Sequence, residues 1–133
     1  MIKLISGKKG SGKTKILIEA INSAESITKG NIVAIQIGSS LNINVSHRVR
    51  LINIEETDVS GYDEFYGFIA GILASDYDCT DIFVDGLLRI CGRDYEKIGQ
   101  LFDRIDKIAG ETVVTLTISA DKSELPEIIQ KYL

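Results

Sequence analysis

The sequence predicts an α/β fold, a three-layer sandwich built on a mostly parallel five-stranded sheet. Three observations lead there. Strand-sized apolar runs alternate with segments of helical spacing along the whole chain, which is the pattern of successive βαβ units. The run Ile32-Val33-Ala34-Ile35 is continuously apolar, as suits a parallel strand covered on both faces. The 133 residues, 44% hydrophobic and with a single proline, suit one folded domain and leave no room for a separate substrate domain, so 1–133 reads as a single unit.

The elements follow in order. Ile2 to Ser6 is a short apolar strand running into Gly7, and Thr14 to Ala24 carries Ile16, Leu17, Ala20, Ile21 and Ala24 at helical spacing. Gly30 is expected to close that helix, and Asn31 to Ile37 to form the second strand. Residues 38–48 are polar and turn-like. Val49 to Ile54 is a third strand whose weak alternation suggests a sheet edge. Ser60 and Asp63 are the expected caps of a helix reaching about Ala74, with Phe65, Phe68, Ile69, Ile72 and Leu73 on one face. Gly67 and Gly71, four residues apart on that helix, are expected to permit close approach to the sheet. Thr80 to Val84 is a fourth strand ending at Asp85. A helix begins near Asp94, shows Ile98, Leu101, Phe102, Ile105 and Ile108 at helical spacing, and stops at Gly110. Thr112 to Ile118 is a fifth strand, and Ser123 with Pro126 opens a last short helix.

Composition removes several classes of function. With 15 basic and 19 acidic residues the formal charge is −4, which gives no global attraction to nucleic acid or anionic lipid. The longest apolar runs fall far short of the roughly 18 residues of a membrane span. The stretch Met1 to Ile5 is too short for a signal peptide, so a cytoplasmic location is expected. Cys79 and Cys91, with no paired spacing and no cluster with the lone His47, read as reduced, buried packing residues.

One segment carries chemistry. Gly7-Lys8-Lys9-Gly10-Ser11-Gly12-Lys13-Thr14 matches glycine, four residues, glycine, lysine, then serine or threonine, between a strand and a helix. From composition alone such a match arises by chance with odds of about one in a hundred, before the flanking strand and helix are required. Gly7, Gly10 and Gly12 let the backbone curl with its N–H groups inward, and the helix starting near Lys13 adds the positive end of its dipole. Such a loop binds a di- or triphosphate. Lys13 is placed to reach the β- and γ-phosphates and the Thr14 hydroxyl to ligate Mg²⁺, while Lys8 and Lys9 raise the local potential or stand as solvated loop lysines. The cation also needs a carboxylate at the end of a neighbouring strand. Asp85, closing Ile82-Phe83-Val84, fits that role, with a turn cap as the bland alternative.

On these residues the chain resembles a minimal P-loop NTPase, with Gly7 to Thr14 as the Walker A element and Ile82 to Asp85 as the Walker B element. It is also similar to short bacterial proteins labelled as relatives of the twitching-motility ATPase. It departs from those motor ATPases in that its loop begins at residue 7, where theirs follows an N-terminal domain. The resemblance implies binding of ATP with Mg²⁺, with Lys13 and Asp85 as the catalytic pair and Thr14 and Asp85 on the metal. Many ATPases with an inserted strand carry a glutamate directly after the Walker B aspartate, and this chain has Gly86 there. Glu55 and Glu56, or the polar sensors Thr117 and Ser119, are the weak substitutes in view, and Arg89 and Arg93 are candidates for neutralising phosphate charge or reaching a neighbouring subunit.

Other signals are negative. Thr28-Lys29-Gly30-Asn31 lacks the carboxylate of a guanine-specificity motif, which argues against a GTPase. Asp58-Val59-Ser60-Gly61 reads as a turn, and His47 has no nucleophile partner in the sequence. Tyr62, Phe65 and Tyr66 are candidates for stacking on a base, with helix packing the stronger reading. The leading expectation is an ATP-Mg²⁺ binding protein with slow or partner-stimulated ATPase activity. The alternatives are a small-molecule or nucleoside kinase, and a regulatory or assembly module that binds nucleotide without turnover. A homo-oligomer or a protein partner is expected by analogy, because a bare core without a lid borrows groups from a neighbour.

Overall fold

The structure, a computed structural model, describes residues 1–41 and 44–133; residues 42 and 43, within the polar connection 38–48, lie outside the described residues. Among the described residues the order is β1 (Ile2–Ser6), α1 (Lys13–Ile27), β2 (Asn31–Gln36), β3 (Arg50–Asn53), α2 (Tyr62–Ser75), β4 (Cys79–Val84), α3 (Leu87–Cys91), α4 (Tyr95–Ala109), β5 (Val113–Ile118) and α5 (Glu127–Gln130), with no helix between β2 and β3. Every strand pair is parallel, so the sheet is wholly rather than mostly parallel, in the order β1-β5-β4-β2-β3. The weakly alternating β3 does sit at an edge.

The pleat sorts the core into two layers. Ile32, Ala34 and Phe83 meet Leu17 and Ile21 of α1 on one face, together with Leu41 and Val49 of the connection after β2. Val33, Ile35, Ile82, Val84, Val114, Leu116 and Ile118 point to the other face, where α2, α3, α4 and α5 bring Phe65, Ile69, Leu87, Ile98, Leu101, Phe102 and Ile129. β2 is buried from Ile32 through Gln36, as its unbroken apolar run requires.

Several local expectations need correction. The first helix ends at Ile27 and is capped by Thr28, whose N–H reaches Ala24 O. Gly30 serves a different purpose: a Cβ there would lie 2.2 Å from Asp78 O, so glycine lets the β2 entrance touch the turn before β4. Gly61, not Ser60 or Asp63, is the N-cap of α2, and Ser60 N donates to Glu64 Oε1 (3.0 Å). Gly67 and Gly71 have nothing within 4 Å of an added Cβ and are exposed, so they mediate no close approach to the sheet. Asp94 caps α4 as its position suggests, accepting from Lys97 N (3.2 Å). The five-residue α3 has no counterpart in the sequence reading. Leu87, Leu88, Ile90 and Cys91 are all buried, so it shows no amphipathic stripe, and it is shorter than two turns.

Candidate functional site

The loop between β1 and α1 is shaped by its glycines. Gly10 (φ 84°) and Gly12 (φ 92°) occupy the left-handed region, where a side chain is strained. At Gly7 the reason is space, since a Cβ would come within 2.4 Å of Ser11 Oγ. Gly7 N donates to Ala120 O (3.0 Å), tying the start of the loop to the segment beyond β5, and Ser11 N donates to Lys8 O (3.0 Å). Gly12 is the N-cap of α1 and supplies no side-chain acceptor, which leaves the first N–H groups of a 15-residue helix without a side-chain cap. Lys13 is 8% exposed, and its ammonium is folded over the loop, donating from Nζ to Lys8 O (3.0 Å). Lys8 and Lys9 are exposed.

Opposite the loop stands Asp85, one residue beyond β4. Its N–H donates to Ile35 O (2.9 Å), which prolongs the ladder with β2 and fixes the direction of the side chain. Three hydroxyls converge on its carboxylate. Thr14 Oγ1 donates to Oδ2 (3.1 Å), Ser40 Oγ donates to the same Oδ2 (3.0 Å), and Thr117 Oγ1 donates to Oδ1 (2.8 Å). Thr117 also accepts from Gly86 N (2.9 Å), so its single hydroxyl holds both the aspartate and the residue after it. The sheet order explains this meeting, because β5 lies between β1 and β4 and brings Thr117 to its carboxyl end beside Asp85.

These groups line a cleft of about 730 Å³ at the carboxyl edge of the sheet, together with Lys9, Gly10, Gly12, Lys13 and Ser119. Arg89 of α3 and Arg93 line its far wall, and among the described residues neither is held in an ion pair. Donors here are hard oxygens, a hydroxyl and a carboxylate, which suit Mg²⁺. Among the described residues no three His, Cys, Asp or Glu side chains come together, so a cation at this point would rely on Thr14, Asp85 and the oxygens of its ligand.

Other candidates fall elsewhere. Glu55 and Glu56 are exposed on the 3-10 turn Ile54–Thr57, and Glu55 lines a separate cavity of about 160 Å³ that shares only Ile37 and Arg89 with the cleft. Tyr62, Phe65 and Tyr66 are away from the cleft: Tyr62 Oη accepts from Asp94 N (3.0 Å), Phe65 is fully buried, and Tyr66 lies under the Arg104 guanidinium. His47 is exposed. Burial pushes the thiol of Cys79 up to about 11 and that of Cys91 up to about 12, so both are inert packing groups at neutral pH. Sequence reasoning passed over Ser40, along with the apolar cleft residues Ile37 and Leu88. A lone serine in a polar connection carries no signal of its own.

No family model matches the sequence, and no curated protein matches it. Among solved structures, the chain is similar to the pCW3 conjugation coupling protein TcpA in its monomer form with ATPγS, with a TM-score of 0.53 and 14% identity. The match covers 98% of this chain and 46% of that one, so this chain spans about half of its length. At this identity the likeness is one of fold, a five-stranded parallel sheet with helices packed around it. Among the described residues, no helix is long and apolar enough to cross a membrane.

Proposed function

We propose that this is a P-loop nucleotide-binding protein. More particularly, it takes ATP with Mg²⁺ and hydrolyses it slowly or when stimulated by a partner. The observation that carries this reading is the approach of Thr14 Oγ1 to Asp85 Oδ2 (3.1 Å) at the mouth of a glycine loop whose lysine is already folded over it. The loop N–H groups and Lys13 would take the β- and γ-phosphates, exchanging the Lys8 carbonyl for phosphate oxygens. Thr14 and Asp85 would hold the cation, which supplies neutralisation of phosphate charge when bound. Arg89 and Arg93 would face the terminal phosphate from the far wall.

The slow rate follows from position 86. Residue 86 is a glycine, with φ 92° and its N–H donated to Thr117 Oγ1 (2.9 Å), so the position directly after Asp85 offers no carboxylate to orient an attacking water. That same feature favours a second reading, a module that binds nucleotide without turnover. Calorimetric titration with ATP, ADP and GTP, each with and without Mg²⁺, followed by a phosphate-release assay on the same sample, tests both. Binding with metal and phosphate release supports the ATPase. Binding without release supports the module or the kinase, and phosphoryl transfer to a nucleoside would single out the kinase. Absence of binding to any of the three nucleotides overturns the proposal.

A further inference from the structure

Ser40 stands in the same relation to Asp85 as Thr14 does. Both hydroxyls donate to one oxygen, Oδ2, at 3.0 and 3.1 Å, and both side chains line the same cleft. A hydroxyl that spends its proton on a carboxylate keeps its lone pairs for a cation. The pair therefore presents two neutral oxygens flanking one anionic oxygen.

The backbone around Ser40 is held in place rather than left free. Gln36, 3% exposed at the end of β2, accepts from Leu41 N through Oε1 (2.8 Å), and the Leu41 side chain is fully buried. Gly38, at φ 72°, donates its N–H to Asn53 Oδ1 (3.2 Å) at the end of β3. With both flanks anchored, the turn 37–41 aims Ser40 at the rim of the sheet. A surface serine with a packing role would need none of this. Ser40 itself is exposed, and its hydroxyl donates to Asp85 Oδ2 (3.0 Å).

We propose that Ser40 is a direct oxygen donor of the cation site, completing with Thr14 and Asp85 a three-residue set that receives a nucleotide-bound divalent cation. The inference rests on the ATP-Mg²⁺ reading and adds to it a ligand from the loop after β2. It makes the cation span three separate segments of the chain, the phosphate loop, the end of β4 and the 37–41 turn.

The test is the ratio of ATP dissociation constants without and with metal, measured by calorimetry. Ser40→Ala is expected to lower the Mg²⁺ ratio roughly tenfold, the lower end of the cost of disturbing groups around a bound metal. Ser40→Cys is expected to lose the ratio with Mg²⁺ and recover it with Cd²⁺, because a soft sulfur ligand prefers a soft cation. A residue that merely positions Asp85 would show no such exchange of preference. Cys79 and Cys91 do not compete for Cd²⁺, being buried with thiols pushed to about 11 and about 12. An unchanged Mg²⁺ ratio in Ser40→Ala, or no Cd²⁺ recovery in Ser40→Cys, overturns the assignment of Ser40. Asp85→Asn in the same assay separates the two levels: if it too leaves the ratio intact, the cation-site reading itself fails, and if it lowers the ratio while the Ser40 variants do not, only the Ser40 inference fails.

Discussion

The carboxyl rim of the sheet and the layer formed by α4 and α5 are held together by different physics. At the rim, Thr14, Ser40 and Thr117 surround one carboxylate by hydrogen bonds of 2.8 to 3.1 Å, beside a cleft open to solvent. In the helical layer, Ile98, Leu101, Phe102 and Ile105 are at most 1% exposed. Gly99 there lies so near Ile128 of α5 that an added Cβ would come within 2.6 Å of it, and Phe102 meets Tyr132 edge-on at 5.6 Å. A hydrogen bond to a charged carboxylate nets about 1.5–3 kcal/mol and can be exchanged for one to a ligand, whereas a buried aromatic cannot be withdrawn without leaving a cavity. The rim can therefore exchange its bonds while the layer beneath keeps the sheet in shape.

That contrast can be broken by experiment. Phe102→Ala carries the largest expected effect, a loss of about 3–5 kcal/mol in denaturant unfolding, with nucleotide affinity of the remaining folded protein little altered. An unfolding midpoint that hardly moves would show that the layer is not the source of stability. Lys13→Ala comes next. Triphosphate binding is expected to vanish in calorimetry while the unfolding curve shifts by about 1.5–3 kcal/mol, the worth of a hydrogen bond from a charged donor such as its bond to Lys8 O. Unchanged titrations of the folded variant would remove Lys13 from the site. Asp85→Asn should weaken Mg²⁺-dependent binding more than metal-free binding, and equal losses would mean that the aspartate holds the loop rather than the cation.

The smallest effect is a pH dependence in the helical layer. Tyr132 Oη donates to Asp103 Oδ1 and Lys131 Nζ lies 3.1 Å from it, and these partners hold the Asp103 carboxyl below its usual value, the tyrosine bond most strongly. A depressed folded value means stabilisation that is present above the unfolded carboxylate range, near pH 4, and lost as the pH falls through the folded value. Because Asp103 is partly exposed, solvent screening keeps the effect small. The melting temperature of Asp103→Asn should accordingly fall less between pH 5 and pH 3 than that of the parent, and parallel curves would assign the bond no part in acid stability.

Legibility differed between the two regions. The glycine loop between β1 and α1 could be read because its message is contiguous: three glycines, a lysine and a threonine within eight residues, between an apolar strand and a helical stripe. Asp85 could be read because it ends an apolar run, and α4 because its stripe persists for four turns. Gly30 was misread because proximity to a helix end suggested a cap, while its reason lies in Asp78, on another loop. The α3 helix left no trace, since four of its five residues are buried and no periodicity survives in so short a segment. Ser40 was invisible because the carboxylate that gives it meaning is 45 residues away.

The sequence by itself determined what depends on neighbours in the chain: the left-handed glycines of the loop, the alternation of strand and helix, and the identity of the lysine, threonine and aspartate. Backbone conformation and hydrophobic period are local properties, so a linear reading recovers them. Only the tertiary structure decided that β5 stands between β1 and β4, and that Thr14, Ser40 and Thr117, separated from Asp85 by 71, 45 and 32 residues, share its two oxygens. That convergence depends on strand order and on the anchoring of a turn. Both are settled by which apolar faces pack together, and no local pattern records that choice.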